Sequence, residues 1–390
     1  MKTYLPRAYD NLAERMRAGK ATIIYGPRQV GKTTMVENYL DVLSDETRIL
    51  RVNGDHLATS EILSSRDQKL LLDWSSGYEI IFIDEAQRIP NVGLGLKILV
   101  DAKPELQLIA TGSSSFDLSK QLGEPLTGRQ VSLRLFPVSV YELAHTMNSY
   151  EIRQNLDDFL IYGMYPEVRT ASSSEEKSLI LDELVNAYLL KDILDLGDIK
   201  KPHVLTRLLT LIAHQVGSEV SINELAGQLS IDKKTVQRYL DLLEECFVVY
   251  RLGGLRRNLR NEVTKLGKYY FYDTGIRNAL IRNLNPIEIR NDVGGLWENF
   301  IMTEYMKTQV YTGVSTNRYF WRTWEQQEID LVEERDGRFH AYEIKWAPRK
   351  RKVAAPSTFM KAYPDSEFTI IDQDNFLELL KPRIAEKVRP

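Results

Sequence analysis

The sequence predicts an α/β protein of several domains: a parallel sheet first, a helical stretch next, and a second α/β domain at the end. Three observations carry this expectation. An apolar run, Ala21 to Tyr25, leads into a loop cornered by Gly26 and Gly31 and then into a helical pattern from about Thr34. A second apolar run, Ile80 to Ile83, ends in Asp84 and Glu85. Short alternating runs joined by a hairpin signal at Asp336-Gly337 close the chain. At 390 residues the chain exceeds a single core and divides into roughly two to four domains, which 43% hydrophobic content is ample to fill.

The first strand, loop and helix read as a phosphate-binding loop. Gly26, Pro27, Arg28, Gln29, Val30, Gly31, Lys32 and Thr33 have the spacing of such a loop, in the strand, loop and helix order that the chemistry needs. The glycines let consecutive N–H groups curl inward around an anion. The helix, with Thr34 in its first turn, offers its positive end to the same charge. Lys32 is expected to reach the β and γ phosphates of a nucleoside triphosphate, and Thr33 to place its hydroxyl on a magnesium ion. A nucleoside triphosphate and Mg2+ are therefore the expected cofactors.

The second strand should be a parallel neighbour reached by a crossover, ending at the same sheet edge. Asp84 is then expected to hold Mg2+, and Glu85 to polarise a water for in-line attack as the general base. A third apolar strand, Leu106 to Ala110, runs into Thr111, Gly112, Ser113, Ser114 and Ser115. Ser113 can sense the γ-phosphate from that edge, and a simple turn accounts for the same residues.

With these residues the chain resembles the AAA+ class of ATPases, and within it a prokaryotic group in which such a module precedes a C-terminal domain of unknown function. The resemblance covers nearly the full length. Besides the two nucleotide motifs and Thr111 to Ser115, it rests on Leu126-Thr-Gly128-Arg129, Phe136-Pro137-Val-Ser-Val-Tyr-Glu142-Leu and Tyr162-Gly163-Met-Tyr165-Pro166-Glu167. It implies an arginine finger on the γ-phosphate from the segment after the third strand, with Arg129 expected in that role and Arg134 behind it. A solvated charge is the other reading of Arg129. A finger supplied by a neighbouring copy would imply a homo-oligomer.

Composition narrows the rest. A net charge of −3 argues against wholesale coating of nucleic acid, so any DNA contact must come from local basic patches. The single cysteine, Cys246, excludes an internal disulfide and reads as core packing. No apolar run approaches the roughly 20 residues that span a bilayer, so no membrane partner is expected. Met1 to Arg7 lacks a signal-peptide core, and cytoplasmic residence is expected.

The expected division is an ATPase core over 1–148, a small helical lid over 149–200, a winged helix-turn-helix over 201–275 and a final α/β domain over 276–390. Leu179 to Leu190 has helical periodicity, and Ser172 to Ser174 with Glu175 and Glu176 reads as a helix start. Helices are expected over Val204 to His214, from Asn223, and over Lys233 to Glu245, with caps at Ser221 and Asp232. On the third of these, Val236, Tyr239, Leu240 and Leu243 share an apolar face and leave Lys233, Lys234, Gln237 and Arg238 outward, where a recognition helix would meet DNA. Phe247 to Leu252 and Lys268 to Tyr272 can pair as a wing around Arg256, Arg257, Arg260 and Lys265, consistent with phosphate contacts. Winged-helix modules also serve as packing or protein-contact units, and both readings stay open.

In the last domain, Arg318 to Trp324, Glu328 to Val332 and Arg338 to Trp346 read as a meander of strands. Alternation puts Glu343 and Lys345 on one face, where they could converge with Asp330 and with Glu298 of the preceding helix. Carboxylates suit a hard ion such as Mg2+, and a lysine can orient or activate water against a phosphodiester. Glu298, Asp330 and the Glu343-x-Lys345 pair resemble the PD-(D/E)xK nuclease superfamily, the restriction-endonuclease-like fold, although Ile329 stands where a proline often precedes the aspartate. The resemblance implies Glu298, Asp330 and Glu343 as metal ligands and Lys345 as the catalytic lysine. The run Arg349 to Lys352 reads equally as a backbone contact or a solvated loop. The expected function is thus an ATP-hydrolysing protein acting on DNA. The alternatives are a nucleotide-controlled binding protein with an inactive nuclease-like domain, or a winged-helix repressor of transcription.

Overall fold

In the computed structural model, strands β1 (Ala21–Tyr25), β2 (Ile49–Asn53), β3 (Ile80–Asp84), β4 (Gln107–Gly112) and β5 (Gln130–Arg134) run parallel in one sheet, in the order β2-β3-β4-β1-β5. The structure describes residues 4–113, 126–189, 201–255, 267–323, 325–347 and 354–381. The chain divides into two compact units: an N-terminal one of Leu5–Pro137 with Glu245–Phe247, and a C-terminal one holding Val138–Glu244 and Val248–Pro390. All three boundaries expected from the sequence therefore fall inside the C-terminal unit.

In the N-terminal unit the connections carry helices α1 (Lys32–Asp41), α2 (Leu57–Ser64), α3 (Gln68–Trp74) and α4 (Val92–Ala102). Parallel strands covered on both faces read as continuous apolar runs, and β1, β3 and β4 are buried almost throughout. One core packs Ile23, Ile81, Ile83 and Leu108 against Val92, Leu96 and Leu99 of α4. Strands β2 and β5 were not expected. Both are edge strands, half-exposed, and Arg51 and Arg134 interrupt their apolar pattern.

The C-terminal unit opens with short helices α5 (Val140–Leu143), α6 (Ser149–Gln154), α7 (Leu156–Tyr162), α8 (Pro166–Thr170) and α9 (Ser174–Glu183), then a π-helical turn over Leu184–Leu189. Two capping boxes, Ser139 with Glu142 and Asn148 with Glu151, start α5 and α6. Ser173 caps α9, as the serine and glutamate cluster predicts.

There follow α10 (Pro202–His214), β6 (Glu219–Val220), α11 (Ile222–Leu229), α12 (Lys233–Glu245), β7 (Val249–Gly254) and β8 (Gly267–Phe271). Ser221 caps α11 and Asp232 accepts from Thr235 N at 2.9 Å at the start of α12, both as expected. Lys233, Lys234 and Arg238 are exposed while Val236, Tyr239, Leu240 and Leu243 are buried. Arg256, Arg257, Arg260 and Lys265 lie outside the described residues, as do Ser114, Ser115, Leu190 and Arg349 to Lys352.

The remaining elements are α13 (Thr274–Leu280), α14 (Val293–Thr312), β9 (Asn317–Arg322), β10 (Glu328–Arg335), β11 (Arg338–Ile344), α15 (Ser357–Ala362), β12 (Glu367–Ile371) and α16 (Phe376–Leu380). Asp336 and Gly337 both take positive φ, 51° and 73°, the geometry of a type I′ turn between β10 and β11. Strands β6 to β12 form one sheet, in the order β12-β11-β10-β9-β7-β8-β6. The join is a parallel pairing of β7 with β9, Gly253 opposite Tyr319 and Gly254 opposite Phe320. The expected boundary at 275/276 thus crosses a continuous ladder. Helix α14, buried on nearly every side, serves that sheet: Asn299 Oδ1 accepts from Phe271 N at 2.7 Å and Asn299 Nδ2 donates to Phe271 O at 3.0 Å.

Candidate functional site

The parallel sheet ends its strands at one edge, and the glycine-cornered loop lies on that edge between β1 and α1. Gly26 has φ 157°, and a Cβ there would lie 1.9 Å from Leu135 O, so only glycine fits against the end of β5. Gln29, at φ 58°, and Gly31, at φ 88°, bend the loop into α1, whose first N–H groups have no intrahelical acceptor. Gly26 to Gly31 thus form the loop, and Lys32 to Thr34 the first turn of α1. Lys32 is buried, and its Nζ donates to Gly26 O at 2.9 Å and Pro27 O at 2.7 Å, folding the ammonium over the loop.

Strand β3 delivers the acids. Thr33 Oγ1 donates to Asp84 Oδ1 at 2.8 Å, and the Thr111 hydroxyl donates to the same oxygen. Glu85 takes a left-handed conformation, φ 52°, uncommon for a residue with a side chain and enriched at active sites as well as in turns. Its N–H donates to Thr111 Oγ1 at 3.3 Å, and its carboxylate accepts from Gln87 Nε2, which also donates to Ser113 Oγ at 3.2 Å. The arrangement joins Lys32, Thr33, Asp84, Glu85 and Ser113, and its donors fit a magnesium-bound triphosphate: an ammonium, a helix start, a hydroxyl and a carboxylate side by side.

The two candidate finger arginines lie at opposite ends of β5. Arg129 precedes β5 at the opposite edge of the sheet, where its carbonyl accepts from Ala21 N and its guanidinium pairs with Asp101. The length of a strand, about 15 Å, separates it from its own loop. Arg134 stands at the loop edge instead, opposite Tyr25, with Nε donating to Tyr25 Oη at 3.0 Å. Sequence reasoning missed Arg7, whose buried guanidinium donates to Val30 O and, at 2.6 Å, to Phe136 O, bracing the loop from beneath.

In the C-terminal unit, Glu298, Asp330, Glu343 and Lys345 converge, but not around a gap. Lys345 Nζ lies 2.7 Å from Glu343 Oε1 and 3.8 Å from Asp330 Oδ2, and that second oxygen also accepts from Ile344 N at 2.8 Å. Lys268 of β8, 1% exposed, sets its ammonium 2.5 Å from Glu328 Oε1, 3.2 Å from Glu298 Oε1 and 3.5 Å from Asp330 Oδ1. Tyr270 Oη donates to Glu298 Oε1 at 2.7 Å. Burial first, and the neighbouring charge of Asp330 second, push the Glu298 carboxyl up to about 7 against the pull of Lys268 and Tyr270. The carboxylates hold the Lys268 ammonium well above its usual range despite its burial. Among the described residues, no three His, Cys, Asp or Glu side chains are set to hold one metal ion. The set expected at Glu298, Asp330 and Glu343 is cross-linked by two lysines, so these residues as placed do not fit a metal. The signal for Lys268 was its position, a charge directly ahead of the aromatic run of β8.

The motif from Tyr162 to Glu167 has a structural role. Asp273 Oδ2 accepts from Met164 N at 2.7 Å and Oδ1 from Ile276 N at 3.0 Å, which pins the turn after α7 to the start of α13. Gly163, at φ 75°, is obligatory there, because a Cβ would meet Asp273 Oδ1 at 2.1 Å.

Comparison with known proteins matches three consecutive stretches of the chain. Residues 18–144 match the family described as AAA domain, 153–286 a domain of unknown function (DUF8612), and 293–381 another (DUF4143). The first match and the loop geometry support an AAA-type nucleotide-binding domain, followed by regions of unknown function. An uncharacterized protein of Mycobacterium tuberculosis is 29% identical over 342 residues, covering 87% of this chain and 73% of the relative. Uncharacterized proteins of Haemophilus influenzae (26% identical; 66% of this chain, 68% of the relative) and Methanocaldococcus jannaschii (20%; 93% and 87%) are also similar. Among solved structures, Drosophila ORC bound to DNA aligns at 13% identity and a TM-score of 0.28, over 67% of this chain and 90% of that one, too slight a likeness to bear on function. No helix among the described residues is long and apolar enough to cross a membrane.

Proposed function

We propose that the protein hydrolyses ATP and acts on DNA, coupling nucleotide state to its C-terminal unit. The observation that carries the reading is the meeting of Lys32, Thr33, Asp84, Glu85 and Ser113 at one edge of a parallel sheet. Bound with Mg2+, ATP supplies an electrophilic γ-phosphoryl group. The loop from Gly26 to Thr34 would hold its phosphates, Thr33 and Asp84 its ion, and Glu85 would accept the proton of the attacking water on its carboxylate. Arg129 stands at the far end of β5 from its own loop, so as a finger it would serve a neighbouring copy and make a homo-oligomer part of the proposal.

For DNA, the support is the order α10, β6, α11, α12, β7, β8, which follows a winged helix, and the exposed Lys233, Lys234 and Arg238 on α12. Calorimetry and phosphate release on Lys32→Ala test the first half. Loss of ATP binding and turnover is expected, and unchanged values would remove the ATPase assignment.

A second reading is a nucleotide-controlled regulator whose nuclease-like domain is catalytically inactive, favoured by the Lys268 ammonium among three carboxylates. Incubating the protein with DNA and Mg2+ or Mn2+ separates the two. Cleavage lost in Lys345→Ala supports a nuclease, and uncut DNA that is nevertheless bound supports the regulator.

A further inference from the structure

A partly buried carboxylate cluster must find positive charge, because unpaired buried carboxylates cost several kcal/mol each. In the C-terminal unit two kinds of cation could meet that need: a divalent ion from solution, or an ammonium built into the chain. The geometry separates them. Lys268 reaches the cluster from β8, Glu298 from α14, and Glu328 and Asp330 from β10, so two elements bring carboxylates to a nitrogen carried by a third. That nitrogen also lies 5.7 Å from the centre of the Phe320 ring, a further contact suited to a cation.

Three of the oxygens that would face a divalent ion are engaged. Glu298 Oε1 accepts from both Lys268 and Tyr270, Asp330 Oδ1 faces Lys268, and Asp330 Oδ2 accepts from Ile344 N. Mg2+ requires close to octahedral oxygen coordination at about 2.1 Å, and an ammonium at the focus of these acids leaves no such set without displacing Lys268.

We propose that the Lys268 ammonium is the resident cation of this acidic cluster: it occupies the position a divalent ion would take, and it ties β8 to β10 and α14. The consequence is mechanical as well as chemical. Among the described residues strands β7 and β9 share two register pairs, Gly253 with Tyr319 and Gly254 with Phe320, and Lys268, like the Arg322–Glu219 pair between β9 and β6, adds a side-chain connection across that join. The inference deepens the regulator reading and rests on it for its functional meaning. The two fail separately, because metal binding is measured here without DNA or nucleotide.

The test is Mn2+ binding to the full-length protein, read from the free-ion electron paramagnetic resonance signal. Wild type and Asp330→Asn should bind Mn2+ alike. Lys268→Met should gain Mn2+ affinity by at least about tenfold, and adding Asp330→Asn to it should cancel the gain. Wild-type Mn2+ binding that Asp330→Asn weakens tenfold or more would overturn the proposal. So would a Lys268→Met protein that melts like wild type and still ignores Mn2+, since the ammonium would then be neither cation nor tie. If Lys268→Met fails to fold while Lys268→Arg folds and stays blind to Mn2+, the tie is supported, and the wild-type comparison still decides the metal question.

Discussion

Thr33 Oγ1 and Asp84 Oδ1 lie 2.8 Å apart, joining the first turn of α1 to the end of β3 across 51 residues of sequence. A hydroxyl and a carboxylate in contact at the rim of a phosphate loop are the two protein ligands expected of a magnesium ion. Asp84→Asn should therefore remove most of the Mg2+ dependence of ATP binding and slow hydrolysis by at least about a hundredfold. Titrations with and without Mg2+ check it, and an unchanged Mg2+ effect would exclude Asp84 from the site.

Glu85→Gln should separate binding from chemistry. ATP affinity should stay within about threefold while turnover falls by about 10²- to 10⁴-fold, the usual contribution of a positioned base. A single-turnover experiment distinguishes this from slow product release.

Gly163→Ala should destabilise without touching the nucleotide. The left-handed backbone alone costs about 1–3 kcal/mol, and the approach to Asp273 adds to it. The expected readout is a lowered melting temperature of the C-terminal unit, with ATP binding unchanged.

Lys233, Lys234 and Arg238 replaced together by alanine should weaken DNA binding about equally across sequences and flatten its salt dependence by up to about 3 in the log–log slope. An unchanged slope would assign α12 to protein packing instead.

Glu298 gives a pH signature. Its carboxyl is raised from 4.5 to about 7 in the folded chain, so between those values the folded state holds more protons than the unfolded one. The stabilising contribution is complete below 4.5 and is lost as pH rises through about 7. Denaturant melts of wild type against Glu298→Gln across that window should diverge with that sign.

The phosphate loop was legible because its chemistry is local: strand, loop and helix are contiguous, and β1 and α12 keep the bounds their apolar spacing implies. Strands β2 and β5 were not, since an edge strand carries polar side chains on its open flank. Arg7 was hidden for another reason. Its acceptor Phe136 O is 129 residues away, and no spacing rule connects the two. Lys268 shows the limit of motif reading: the acids and Lys345 follow a pattern along the chain, whereas the second lysine arrives from another part of the sheet.

The pairing of β7 with β9 also bears on how the protein can be dissected. A fragment begun at residue 276 would strip β9 of its neighbour and expose a raw flank of backbone donors and acceptors, an invitation to fibrillar self-association. Fragments that keep the whole ladder, starting near Val138, are the ones expected to stay monodisperse.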